Sequence, residues 1–300
     1  MALIPFTDAS SARMEAIAKD KRIGDIEWAG KIPGATHTFF DAPSGPLAMV
    51  EMGDPSRERV VLLPGVTGSK EDFRLMLPLL VEAGYYVQSV DLAGQYESCG
   101  AGPGSGKPYT YELYCADVRA LLESGGPAHL LGYSFAGIVA QMTTVRHPEL
   151  VRSLTLLTTP PASGNVFASM RVLGPFAPLV DARRGAALMI WGIRTNKNRV
   201  PPRRLAFVRA RFDLTVRRSV DEIVGLMMRA PELGSELRGT GIPILVAASN
   251  HDLWSSEAHR RFAAHLGADF RLYDTGHSPC ETTPHQLCLD LVEMYRSVRA

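Results

Sequence analysis

The chain has 300 residues, of which 46% are hydrophobic, and its formal net charge is +1. This length and apolar content suffice for a large core, and the near-neutral balance argues against a protein that binds nucleic acid or an acidic membrane surface. The apolar runs are far shorter than the roughly 20 residues of a membrane span, so we expect no membrane partner.

The N-terminal stretch lacks the cationic start and apolar centre of a signal peptide. The four cysteines form no CxxC pair and are too widely spaced for a zinc pattern or a disulfide framework. They are Cys99, Cys115, Cys280 and Cys288. We therefore expect a cytoplasmic protein.

In chain order, a predicted helix over residues 8–20 precedes a hairpin, in which THTFFDA and PLAMVEMG flank PSG. Short strands that are apolar throughout then alternate with helices. The strands are RVVLLPG, YYVQSVDL, AHLLGYS, SLTLLTTPP, IPILVAASN and ADFRLYDTG. The helices are predicted over Lys70–Ala83, Tyr111–Leu122, Ala136–His147, Ser255–Leu266 and Pro284–Val298. This alternation predicts an α/β fold with a mostly parallel, doubly wound sheet.

The alternation stops between about residues 162 and 238, where we find helix-like stretches but no convincing strand. Two of these stretches are Arg203–Val216 and Val220–Met228. We interpret this interval as a helical cap inserted between two strands of the core. The predicted parts are an N-terminal extension at 1–34, the first part of the core at 35–161, the cap at 162–240 and the second part of the core at 241–300.

A single serine, Ser134, lies where the strand AHLLGY ends and an apolar helix begins. A residue at such a sharp turn can project its side chain above the sheet, and the free N–H groups of the helix start suit a developing oxyanion. Gly132 and Ala136 are small, as close passage of strand and helix requires. The position therefore suits a nucleophile. The alternative is an ordinary helix N-cap, for which serine is favoured.

Residues 132–137, Gly-Tyr-Ser-Phe-Ala-Gly, resemble the Gly-x-Ser-x-Gly nucleophile elbow of the α/β-hydrolase fold, with Ala136 at the position of the second glycine. The resemblance extends from about Thr36 to the C-terminus. VVLLPGVTGS is similar to the family's oxyanion-hole strand and loop, although Pro64 stands where histidine is common. ASNHDLW and DTGHSPCETTPHQL resemble the segments that carry the acid and the histidine, in the family's order.

The resemblance implies that Ser134 is the nucleophile, His277 the general base and Asp252 the group that orients the histidine. The implied oxyanion donors are the backbone amides of Val66 and Phe135. The chemistry is consistent, because a hydroxyl needs a base to become a nucleophile and neutral imidazole serves near pH 7. Taken singly, Asp252 could be a surface carboxylate and His277 a histidine bonded to a backbone carbonyl.

Tyr133 and Trp254 flank the predicted site and are candidates for lining a substrate pocket, although core packing would equally explain Trp254. Glu281 is interpreted as an acid at a helix start rather than a catalytic group. PGVTGSK lacks the spacing of a phosphate-binding loop, and GPGSGK follows no strand and has Pro108 where serine or threonine is needed. His251, Asp252 and His277 could be metal ligands, but no further histidine at helical spacing supports a metal site.

The predicted cap is strongly basic. Residues 182–220 contain eleven Arg or Lys and one acid, Asp213. Helical spacing places the apolar residues Leu205, Val208, Phe212 and Val216 on one face, so we expect the arginines on the outer, solvated face. The alternative is that inner arginines recognise an anionic substrate.

These observations predict a serine hydrolase that cleaves a small-molecule carboxylic ester, thioester or lactone through an acyl-enzyme, with no cofactor and no metal. The same three residues could instead support carbon–carbon bond hydrolysis or perhydrolysis. A small-molecule receptor with little turnover is the alternative from a different functional class. The expected partner is a small molecule, with an anionic group left open, and the sequence leaves the oligomeric state open.

Overall fold

The computed structural model describes residues 9–170, 181–196 and 199–298. Its centre is one eight-stranded sheet in the order β1-β2-β4-β3-β5-β6-β7-β8. The strands are β1 Thr36–Ala42, β2 Gly45–Met52, β3 Arg59–Leu63, β4 Tyr86–Val90, β5 Ala128–Tyr133, β6 Val151–Leu157, β7 Ile244–Ser249 and β8 Asp269–Tyr273. β1 and β2 form the predicted hairpin, β2 pairs with β4 antiparallel, and every later pairing is parallel.

Helices cover both faces of the sheet. The helices of the described residues are α1 Ala9–Asp20, α2 Met76–Glu82, α3 Tyr111–Gly125, α4 Phe135–Arg146, α5 Ala182–Arg194, α6 Pro202–Leu214, α7 Arg217–Met227, α8 Gly234–Gly239, α9 Ser256–Leu266, α10 Pro279–Thr282 and α11 Pro284–Ser297. Alternate residues of β3 enter two different cores: Val61 packs with α3 and α4, whereas Leu62 packs with α2 and α11. The predicted mostly parallel, doubly wound α/β fold is confirmed.

The helix predicted over Lys70–Ala83 is interrupted. Lys70–Phe73 forms a 3-10 turn, and α2 begins only at Met76. The backbone N–H of Lys70 donates to Asp91 Oδ1 at 2.7 Å, and its ammonium lies 3.3 Å from Asp91 Oδ2. Asp91, directly after β4, therefore anchors the start of the 3-10 turn.

Helices α5, α6, α7 and α8 lie between β6 and β7, within the predicted cap, and α6 and α7 correspond to the two helical stretches predicted there. Part of the predicted cap, residues 171–180 and 197–198, lies outside the described residues. No helix in the described ranges has both the length and the apolar composition needed to cross a bilayer.

The expectation that the cap arginines face outward is wrong for two of them. Arg204 and Arg211 are each only 5% exposed, and they share the inner face of α6 with Phe207, Val208 and Phe212. These residues recur at three- and four-residue intervals, so they form one stripe along the helix. The two arginines can be buried because core carboxylates pair with them.

Candidate active site

Ser134 occupies a strained turn between β5 and α4. Its backbone has φ 54° and ψ −119°, a region that non-glycine residues rarely adopt and that costs about 1–3 kcal/mol. Its N–H donates to the Leu157 carbonyl of the neighbouring strand at 2.9 Å. Its side chain makes no capping hydrogen bond to the helix, so the N-cap alternative does not account for the hydroxyl.

Small residues allow the turn to be this tight. A Cβ at Gly132 would lie 2.5 Å from the backbone oxygen of Ala136, far inside contact distance. A Cβ at Gly65 would lie 3.0 Å from the Cβ of Ser134. The loop after β3, which contains Val66, is therefore packed against the turn that presents Ser134.

The structure brings the three predicted side chains into one hydrogen-bonded chain. His277, which follows β8, places Nε2 3.1 Å from Ser134 Oγ. Its Nδ1 lies 2.5 Å from Oδ1 of Asp252, which follows β7. With Nδ1–H donating to the carboxylate, Nε2 is free to accept the serine proton. This is the geometry that general-base activation of a hydroxyl requires.

The environment keeps Asp252 ionised. Burial alone would raise the pKa of this carboxyl group, but the imidazoles of His277 and His259 outweigh it and lower the pKa to about 2. The Leu253 N–H donates to Oδ1 at 2.6 Å, and His259 Nε2 lies 2.9 Å from Oδ2. Both carboxylate oxygens are thus bonded in a buried site.

Two residues that contact the hydrogen-bonded series of Ser134, His277 and Asp252 were not predicted from the sequence. His259, on α9, contacts Asp252, and Thr158, just after β6, donates its hydroxyl to the His277 carbonyl at 2.9 Å. Thr158 has φ 40°, so its backbone is also strained. The sequence position of Thr158 gave a weak indication that it lies near the site, because it follows a strand that ends at the same sheet edge as the strand before Ser134.

The predicted oxyanion donors are Phe135, at the start of α4, and Val66, in the loop after β3. Phe135 is the first residue of α4, so its N–H lacks an intrahelical acceptor, and its ring is buried against Tyr111 and Tyr114. In the loop after β3, the N–H of Thr67 donates to Gln95 Oε1 at 2.9 Å, which fixes the backbone next to Val66.

Both predicted pocket residues lie beside His277. The Tyr133 ring is centred 5.4 Å from the imidazole, and its hydroxyl is 2.8 Å from Ser278 Oγ. The Trp254 ring is centred 6.1 Å from the same imidazole, is almost fully buried, and donates through Nε1 to the Val166 carbonyl at 2.9 Å. The Trp254 side chain is therefore part of the packed core, and its contact with a substrate stays a prediction.

A buried ionic cluster joins α6 to this region; we call it the cap cluster, and it consists of Asp72, Arg204, Arg211 and Glu281. Asp72 Oδ1 lies 2.8 Å from Arg204 Nη2 and 2.6 Å from Arg211 Nη1. Arg204 also pairs with Glu281, which belongs to α10 as the predicted helix-start acid. Arg211 donates to Ser69 Oγ at 3.1 Å, so the cluster contacts both the loop after β3 and the segment after His277.

Charge pairing in the cap cluster affects its two carboxyl groups differently. Burial would raise the pKa of Asp72, but the charges of Arg211 and Arg204 outweigh it and lower the pKa. Burial dominates at Glu281 and raises its pKa, because the charge of Arg204 lowers the pKa less than burial raises it and the Asp72 charge repels the carboxylate. Two cations therefore share one firmly ionised carboxylate.

A separate cleft of about 440 Å³ opens between α4, α8 and α9. Its wall includes Gln141, Glu232, Arg261 and His265, and none of the three predicted catalytic residues. The cleft is therefore no part of the candidate active site.

Residues 60–291 match the sequence profile of the Alpha/beta hydrolase family. The chain is 33% identical over 128 residues to the Bifunctional epoxide hydrolase 2 of Sus scrofa, covering 41% of this chain and 22% of that protein. It is 31% identical over 120 residues to the human Serine hydrolase-like protein, covering 39% and 58%. The matches thus span less than two thirds of these curated relatives.

A solved structure from a study of carboxylesterases of Nitrososphaera gargenis superposes with a TM-score of 0.71 at 18% identity. The superposition covers 87% of this chain and 99% of that one. At this identity the likeness concerns the fold, and the chemistry must be argued from the residues of this chain.

Proposed function

We propose, from the premise that this chain belongs to the alpha/beta hydrolase family, that it is a serine hydrolase of small-molecule carboxylic esters, thioesters or lactones. The observation that carries the proposal is the continuous hydrogen-bonded chain from Asp252 through His277 to Ser134. A histidine placed between a buried carboxylate and a hydroxyl on a strained turn is an arrangement suited to acyl transfer.

In the proposed mechanism, Ser134 Oγ attacks the carbonyl carbon while His277 Nε2 takes the hydroxyl proton. Asp252 keeps the proton on Nδ1 and stabilises the imidazolium that forms. The amides of Val66 and Phe135 donate to the oxyanion of the tetrahedral intermediate. His277 then protonates the leaving group, and water, activated by the same imidazole, hydrolyses the acyl-enzyme and restores Ser134.

Ser134 favours acyl substrates over epoxides, although the pig relative is named for epoxide hydrolysis. A serine oxygen that opened an epoxide would form an ether, and a histidine-activated water has no carbonyl carbon to attack in an ether. The enzyme would be trapped after one turnover. A serine ester, by contrast, is hydrolysed through a second tetrahedral intermediate at the same oxyanion site.

The buried cap arginines give little support to an anionic substrate. Arg204 pairs with Asp72 and Glu281, and Arg211 pairs with Asp72, so neither guanidinium is left for a substrate anion. A neutral small molecule is therefore the proposed substrate. The proposed compartment remains the cytoplasm, since all four cysteines are free, as expected in a reducing environment.

The test combines active-site labelling with kinetics. A fluorophosphonate probe should modify Ser134, as located by peptide mass spectrometry, and Ser134→Ala should lower kcat on aryl esters by about 10⁴–10⁶-fold. Ser297→Ala, at the end of α11, is the matched control and should leave the labelling of Ser134 and the kcat on aryl esters unchanged. Labelling of another residue, with full activity in the Ser134→Ala variant, would overturn the proposal.

A parallel screen separates the alternatives on the same residues. Esters, thioesters, lactones and diketones are incubated with the wild-type protein, and intact mass reports any acyl-enzyme. Cleavage of diketones but not esters would favour a carbon–carbon bond hydrolase. Stoichiometric binding without turnover would favour a receptor.

A further inference from the structure

His259 holds a position that the proposed mechanism does not yet use. It lies on α9, seven residues after Asp252, and its side chain is completely buried. Its Nε2 is 2.9 Å from Asp252 Oδ2, while His277 Nδ1 is 2.5 Å from Oδ1 of the same carboxylate. One carboxylate thus lies between two imidazoles.

The protonation state of His259 follows from its surroundings. Asp252 is ionised and its oxygens can only accept, so Nε2 of His259 carries the proton of this hydrogen bond. In the described part of the chain, the buried Nδ1 atom has no hydrogen-bond partner. A buried Nδ1–H without an acceptor would cost more free energy than a bare lone pair. The geometry therefore places the proton of His259 on Nε2, where it is donated to Asp252.

The second hydrogen bond matters because a carboxylate plane is weakly fixed by its own torsion. The terminal torsion of Asp is broad, so hydrogen bonds must set the direction of the oxygens. The N–H of Leu253 and His277 both bond Oδ1, which leaves the plane free to turn about that atom. A donor on Oδ2 removes this freedom.

We propose that His259 is a positioning residue, which fixes the Asp252 carboxylate so that Oδ1 stays aligned with His277. This inference rests on the proposed function and adds a fourth side chain to the site. Loss of the donor would allow the carboxylate to turn, and His277 would spend less time in the orientation that accepts the Ser134 proton. Misplacement of about 1 Å in such a site can cost about a hundredfold in rate.

The kinetic test compares His259→Leu with His259→Gln. Leucine removes the donor, and we expect kcat on aryl esters to fall by about 10- to 100-fold with KM unchanged. Glutamine keeps an N–H near the position of Nε2, and we expect kcat within about threefold of wild type. The control is His265→Leu, which removes a half-exposed histidine from the same helix and should leave kcat unchanged.

Wild-type kcat in His259→Leu would overturn the inference. So would an equal loss in both His259 variants, because that pattern reports a packing role rather than a donated hydrogen bond.

A second measurement needs neither a variant that folds nor turnover. In wild-type protein labelled with ¹⁵N-histidine, His259 should show a protonated Nε2 and a bare Nδ1 at neutral pH. An Nε2 without a proton would overturn the inference even if His259→Leu does not fold. Absence of Ser134 labelling would instead overturn the proposed function, while the nitrogen spectrum still tests the bond to Asp252.

Discussion

Asp72→Asn tests whether the cap cluster stabilises the fold. Asp72 is 2% exposed, and its Oδ1 receives both Arg204 and Arg211. Asparagine keeps the shape and one acceptor oxygen but removes the negative charge. Arg204 would then retain the carboxylate of Glu281, whereas Arg211 would have no carboxylate partner within the cluster and would keep its hydrogen bond to Ser69 Oγ.

The expected cost follows from leaving a buried charge without compensation. Removing one partner of a buried ion pair costs about 3–5 kcal/mol, because the remaining charge stays desolvated. In a chain of this length, each kcal/mol lowers the melting temperature by about 2 °C. Asp72→Asn should therefore melt roughly 6–10 °C below the wild-type protein.

Thermal unfolding is followed by tryptophan fluorescence, because the Arg204 guanidinium lies over the Trp28 ring at 4.4 Å. The control is Asp213→Asn on helix α6, where an exposed carboxylate lies 3.7 Å from Arg194. That surface pair should contribute less than about 1 kcal/mol. If Asp72→Asn melts within 2 °C of the control, the buried pairs are not stabilising and the reasoning fails.

Three further expectations concern the site and its supports. The low pKa of Asp252 contributes about 2 kcal/mol of stability above pH 4, and this contribution is lost as the pH falls toward 2. The free energy of unfolding, measured from pH 5 to 2, should therefore depend less on pH in Asp252→Asn than in the wild-type protein. Identical pH curves for the two proteins would contradict this. Gly132→Ala should lower the free energy of unfolding in urea by at least about 1–3 kcal/mol. In the control Gly239→Ala, the added Cβ meets no atom within 4 Å, so the loss should be less than about 0.5 kcal/mol. Equal losses in the two variants would contradict the steric argument. Aryl esters with and without a distal carboxylate should differ less than about threefold in kcat/KM, and a strong, salt-sensitive preference for the anion would show that a cap cation is available after all.

Local sequence patterns were sufficient to predict most of the strands of the sheet and the turn that carries Ser134. The apolar strands and the serine between AHLLGY and an apolar helix reflect short-range rules, since strand burial and a tight strand-to-helix turn are encoded within a few residues. Because parallel strands end at one edge of the sheet, Ser134, Asp252 and His277 could be expected to meet although they are far apart in the chain. The structure does bring them together.

Partners that depend on packing could not be predicted in the same way. The inward direction of Arg204 and Arg211 depends on Asp72 and Glu281, which are distant in sequence, so a periodicity based on apolar residues alone selected the wrong face. His259 reaches Asp252 only because α9 packs on β7. Long-range charge pairing and helix placement leave no short sequence signal.

The cap cluster divides the predicted cap into a part that buried charges tie to the core and a part that is mostly exposed. Moving α6 away as a rigid unit would separate the buried ion pairs that Arg204 and Arg211 make with Asp72, and would leave that carboxylate without a cation. Helix α5, in contrast, buries only Ala186 among its residues. Chimeras that replace α5 and leave α6 in place should therefore lose less stability than chimeras that replace α6.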